Sequence, residues 1–141
     1  MKKILIATHG HMASGVKSVA KILLRDDSAI TAVDCYVDES DFTPKVQEWI
    51  DGVEPEDDAV IFTDLKGGSV CNKIAGMHPE KRGIVHVTGF NLALVLECLI
   101  TADPITSEFI DAGIQGATAL MERVVLEEEA AEDESDDDFF A

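Results

Sequence analysis

The chain contains no run of 18 or more apolar residues, so no segment reads as a membrane-spanning helix. It opens Met1-Lys2-Lys3-Ile4, which has the basic start of a secretory leader. The apolar stretch, however, meets Thr8 and His9 after about five residues, too few for a leader's apolar core, and a cytoplasmic location is expected. Cysteine is sparse. Cys35, Cys71 and Cys98 are odd in number, widely spaced and free of any C-x-x-C pair, which reads as reduced, mostly buried thiols. Basic residues are also few, 11 against 28 acids, for a net charge of −17. Nine of those acids lie in residues 127–141, which hold no base; the body keeps 19 acids against 11 bases, a charge of −8. Neither part offers the clustered Lys and Arg that nucleic acid or anionic lipid requires.

What remains is 141 residues, 46% hydrophobic, enough for one ordinary core. Residues 1–126 read as the domain and 127–141 as an acidic tail too polar to build a core, expected to be disordered. Strands are predicted over 2–7, 30–37, 59–63 and 83–88. A helix from Ser14 or Gly15 to Leu24 places Val16, Val19, Ala20, Leu23 and Leu24 on one face. Further helices are expected behind Thr43-Pro44, over 70–76 and 92–101, and from Thr106. Gly113 and Gly116 should weaken the last of these, and residues 117–126 fit either its extension or a final strand. Strands alternating with helices give a doubly wound, mainly parallel α/β domain with helices on both faces.

Three of the strands end in polar residues, at His9, Asp64 and Asn91, and right-handed crossovers bring such ends to one rim of the sheet. Asp64 can accept a hydrogen bond from Nδ1–H of His9, fixing the tautomer and leaving the Nε2 lone pair outward. An imidazole held in that way can itself be a nucleophile. Gly67-Gly68-Ser69 opens a predicted helix, and free backbone N–H groups there form a nest for an anion. A nucleophilic histidine beside a phosphate-sized nest fits a phosphohistidine carrier, because phosphoryl transfer needs mainly positioning and charge stabilisation.

These residues resemble the IIA component of the mannose/fructose/sorbose-type bacterial sugar phosphotransferase system (PTS). The likeness rests on Thr8-His9-Gly10, on Asp64-x-x-Gly67-Gly68-Ser69-x-x-Asn72, and on Gly89-Phe90-Asn91-Leu92, and it covers residues 2–126. The resemblance implies a mainly parallel sheet whose last, antiparallel edge strand is exchanged in a homodimer, which favours a strand over 117–126. It implies that His9 is the phosphohistidine, that Asp64 orients it, and that Thr8, Gly67, Gly68 and Ser69 surround the phosphoryl group. It further implies that phosphate arrives from the phosphocarrier HPr and leaves to a IIB component serving a membrane permease, with no cofactor. His11 and Lys66 depart from the pattern of some relatives and, with Asn91, are candidates for partner contact.

Other chemistries fit less well. His9-x-His11 with Asp64 lacks the third histidine or cysteine of a recurring zinc set, so no metal is assigned. Gly67-Gly68-Ser69 lacks the Lys-Ser/Thr of a P-loop. A regulatory phosphocarrier, or a receiver-like signalling domain phosphorylated on Asp64, stands as the alternative function. Receivers hold magnesium with acids after their first strand, where this chain has Thr8-His9.

Overall fold

A computed structural model describes residues 1–126. The element order is β1 (Lys2–His9), α1 (Met12–Leu24), β2 (Ile30–Cys35), α2 (Thr43–Asp51), β3 (Asp58–Thr63), α3 (Ser69–Ala75), a 3₁₀ turn (Pro79–Arg82), β4 (Val85–Thr88), α4 (Leu92–Ile100) and α5 (Ser107–Thr118). The four strands form one parallel sheet in the order β2-β1-β3-β4.

Both faces of the sheet are covered, and the strand pleat sorts the side chains between them. Ile4 and Ile6 of β1 join Val60 and Phe62 of β3 under α1, α4 and α5, through Ala13, Ala20, Leu94, Val95 and Ile110. Leu5, Ala7 and Ile61 face the other way, toward Val46 and Ile50 of α2 and Val70 and Ile74 of α3. Successive residues on a strand point to opposite faces, so a doubly covered strand must be apolar throughout. That is why residues 4–7 read as an unbroken apolar run.

The path of the chain places the site. From β1 the chain first passes to β2 on one side, then returns across to β3 and β4 on the other. The strand order therefore reverses at β1, and the crevice beyond the carboxyl ends of β1 and β3 is a topological switch point. There α1 and α3 leave toward opposite faces, so the ends of β1 and β3 stay uncovered.

Several expectations shift. Strand two stops at Cys35 because Tyr36 takes a left-handed backbone, φ +64°. Helix α1 starts at Met12, ahead of the expected Ser14, because the Thr8 hydroxyl reaches forward to accept from the Ala13 amide at 2.8 Å. Helix α5 runs through both glycines, capped by the Thr106 hydroxyl accepting from Phe109 N–H. At Gly113 a Cβ would lie 2.9 Å from Leu94 Cδ1, so with no side chain there α5 closes on α4 without displacing Leu94.

Residues 117 and 118 end α5, and 119–126 form neither helix nor strand. The antiparallel edge strand expected over 117–126 does not pair with this chain's own sheet. Leu120, Met121, Val124 and Leu126 are instead exposed. The acidic tail, 127–141, lies outside the described residues.

Candidate functional site

The site begins with the geometry of Asp64. Its Oδ2 accepts both the backbone N–H of His9, at 2.8 Å, and His9 Nδ1, at 2.9 Å. Its Oδ1 accepts the Leu65 amide at 2.9 Å. Burial pushes this carboxyl's pKa up, but the His9 amide, ring and charge outweigh burial and hold it below the usual carboxylate range. An ionised carboxylate can only accept. The proton between them therefore belongs to His9 Nδ1, and Nε2 keeps its lone pair.

The imidazole is held on further sides. Gly67 has φ +78°, which favours glycine, and Asn72 Nδ2 donates to its carbonyl at 3.1 Å. At Gly68 a Cβ would meet the Leu65 carbonyl at 3.2 Å and His9 Cε1 at 3.6 Å. The Cε1 corner of the ring thus lies beside Gly68. Among the described residues, the amides of Ser69, Val70 and Cys71 have no acceptor. Over the His9 ring lies Tyr36, with centroids 5.4 Å apart and planes inclined by 28°. Its hydroxyl is 2.9 Å from Ser69 Oγ, Phe42 meets its ring edge-on, and Lys73 Nζ sits 5.7 Å from its centroid.

His11, two residues on, is engaged elsewhere. Its Nδ1 lies 3.0 Å from Oδ2 of Asp34; that oxygen also accepts the Ser14 hydroxyl at 2.6 Å, and Oδ1 accepts the Ser14 amide at 2.9 Å. Burial pushes Asp34 up, but the Ser14 hydroxyl, His11 and the Ser14 amide bring it below the ordinary carboxylate value. The starts of the two helices at the rim therefore differ. At α1, Thr8 and Asp34 already occupy the Ala13 and Ser14 amides; at α3 the amides are open, and His9 stands beside them.

The expected site residues thus divide. His9, Asp64, Gly67, Gly68 and Ser69 come together. Lys66 is exposed on the same loop. Thr8 requires correction: its side chain is fully buried and binds the Ala13 amide, so it does not face a phosphoryl group. Asn91 is likewise committed inward. Its Oδ1 caps α4 through Leu94 N–H and its Nδ2 donates to the Ala117 carbonyl at 2.8 Å, which gives it a structural task at the rim. Tyr36 and Asp34 were not anticipated. The available signal was their place at the end of a strand that pairs with β1. Among the described residues, no group of three or more His, Cys, Asp or Glu is arranged to hold a metal ion.

A parallel, doubly wound α/β domain with a histidine–aspartate pair at its switch point defines the structural class. The chain belongs to the family described as PTS system fructose IIA component, whose profile matches residues 3–112. It is therefore a sugar phosphotransferase system IIA component of the mannose family, with the general phosphotransferase role that membership carries. Solved structures share the fold. The mannose/sorbose-specific IIA subunit of Enterococcus faecalis is 23% identical, over 90% of this chain and 98% of that one, with a TM-score of 0.73. The PTS component EIIA of Streptococcus agalactiae is 18% identical, over 87% and 97%, also at 0.73. A Klebsiella pneumoniae protein described as a phosphoenolpyruvate-dependent sugar PTS permease is 24% identical, over 86% and 90%, at 0.76. Compared with curated protein sequences, the chain finds no match. No helix among the described residues is long and apolar enough to cross a membrane.

Proposed function

We propose that the protein carries phosphate on Nε2 of His9, accepting it from phospho-HPr and passing it to a IIB component that serves a sugar permease. The observation that carries this reading is the Asp64 carboxylate on His9 Nδ1 at 2.9 Å, beside a turn with open amides. The Nε2 lone pair attacks phosphorus of the donor, and the new N–P bond forms as the donor's bond breaks. The electron pair of that bond returns to the donor. The His9 ring thereby gains positive charge, which Asp64 faces directly. The phosphoryl oxygens lie toward the start of α3, where the open amides of Ser69, Val70 and Cys71 and the Ser69 hydroxyl donate. Transfer to IIB reverses these steps.

His11 and Lys66, both exposed on the segments that follow β1 and β3, suit contact with the partner proteins rather than the chemistry. The exposed apolar side chains of Leu120, Met121, Val124 and Leu126 support a homodimer in which 119–126 is covered by a second subunit. The body, 1–126, is then the working domain, in the cytoplasm where HPr is found, with 127–141 an appended tail. The geometry works against a receiver phosphorylated on Asp64, since both its oxygens already accept bonds from His9 and Leu65. The test is labelling by phospho-HPr followed by a chase with IIB. Wild type takes up label and loses it to IIB, and His9→Ala takes up none; label on His9→Ala would refute the assignment.

A further inference from the structure

Tyr36 has no part in the reaction just described, yet it touches two members of the site. It is half exposed, so core packing does not explain its place, and it holds a left-handed backbone unusual for a large side chain. Its ring stacks on His9 at 5.4 Å and its hydroxyl meets Ser69 Oγ at 2.9 Å. One side chain from the end of β2 therefore reaches across the imidazole to the start of α3. Two hydroxyl groups carry two protons, and the bond between them uses one. The pair always keeps a second proton to donate outward. The ring face also suits His9 once attack on phosphorus has made the imidazole cationic.

We infer that Tyr36 is a positioning residue of the phosphoryl site: its ring fixes the plane of His9, and its hydroxyl acts with Ser69 as one donor unit for a phosphoryl oxygen. This rests on His9 as the carrier. The test uses the full chain as wild type, Tyr36→Phe, Tyr36→Leu, Ser69→Ala and the double variant Tyr36→Phe/Ser69→Ala. Phosphoramidate, a small phosphoryl donor, removes partner binding from the measurement. Tyr36→Phe should be phosphorylated about tenfold more slowly, because the Ser69 hydroxyl, without its partner, is no longer held toward the phosphoryl oxygen. The double variant should be little slower than the worse single one, because the two hydroxyls act together. A wild-type rate in Tyr36→Phe, or fully additive losses, would overturn the inference. In the unphosphorylated protein, ring-current shifts of the His9 C–H signals should persist in Tyr36→Phe and vanish in Tyr36→Leu. Unchanged shifts in Tyr36→Leu would remove the stack. These shifts are read without any phosphoryl transfer, so failure of wild type to label counts against the carrier reading alone.

Discussion

Replacing Asp64 by Asn probes the pair at the centre of the mechanism. The amide has nearly the same shape, and its one oxygen, turned toward His9, still accepts the His9 amide and Nδ1–H, while its –NH2 replaces the oxygen that took the Leu65 amide. What disappears is the negative charge 2.9 Å from Nδ1. At an effective dielectric constant near 20, opposite charges about 4 Å apart attract by about 4 kcal/mol. The His9 side chain is 41% exposed and Asp64 11%, so solvent screening reduces this, and about 1.5–3 kcal/mol is the range for a charge-assisted hydrogen bond. The charge matters only when His9 is cationic, as it becomes while nitrogen bonds to phosphorus. The loss therefore falls on the transition state and product, and transfer should slow by about 10- to 100-fold. Rapid-quench measurement of label passing from phospho-HPr gives the rate, and thermal unfolding checks the fold. A rate within twofold of wild type, in a folded Asp64→Asn protein, would refute the reasoning.

Three other expectations follow from separate features. Gly68→Ala places a Cβ 3.2 Å from the Leu65 carbonyl and 3.6 Å from His9 Cε1; it should cost about 1–3 kcal/mol of stability and slow labelling further, as measured by urea unfolding and phospho-HPr uptake. Burial depresses the pKa of His86, opposed by the charge of Glu80. The unfolded chain then binds a proton near pH 6.5 that the folded protein refuses, so stability present above that pH is lost as pH falls through it, by at most about 1.4 kcal/mol per pH unit. His86→Gln should show a shallower fall between pH 7.5 and 5.5 in urea midpoints, and parallel curves would count against this. Deletion of 127–141 should leave the labelling rate unchanged, because the inferred site lies wholly within 1–126; a large loss would give the tail a role in transfer.

How much of this was legible in the sequence follows from which contacts are local. His9 and Asp64 stood out because buried parallel strands end abruptly in polar residues at the rim, and Gly67-Gly68 marked the turn between β3 and α3. Tyr36 was hidden. The stretch Asp34-Cys35-Tyr36-Val37 continues the composition of a strand, and no glycine announces its left-handed break. Only the order β2-β1-β3-β4 brings Tyr36 beside His9, and pairing order is a long-range property. Thr8 misled for a related reason. A hydroxyl next to the key histidine reads as part of the rim, but it sits within the buried run and accepts from the Ala13 amide in the first turn of α1, five residues ahead. Asn91 marks a strand end correctly, yet its side chain is drawn inward by Leu94 and by Ala117, a contact 26 residues away. Residues 117–126 stayed ambiguous because most of their apolar side chains, Leu120, Met121, Val124 and Leu126 among them, are exposed, so the chain's own core does not decide their form.

The central claim is that phosphate is carried on Nε2 of His9. Its most direct test is the chemistry of the labelled protein, followed by nitrogen NMR of the His9 ring. The account predicts a label lost in acid and stable in alkali, with phosphorus coupled to Nε2 and Nδ1 still protonated against Asp64. A label destroyed by alkali would mean an acyl phosphate, and phosphorus on Nδ1 would mean that Asp64 does not set the tautomer; either result would contradict the account.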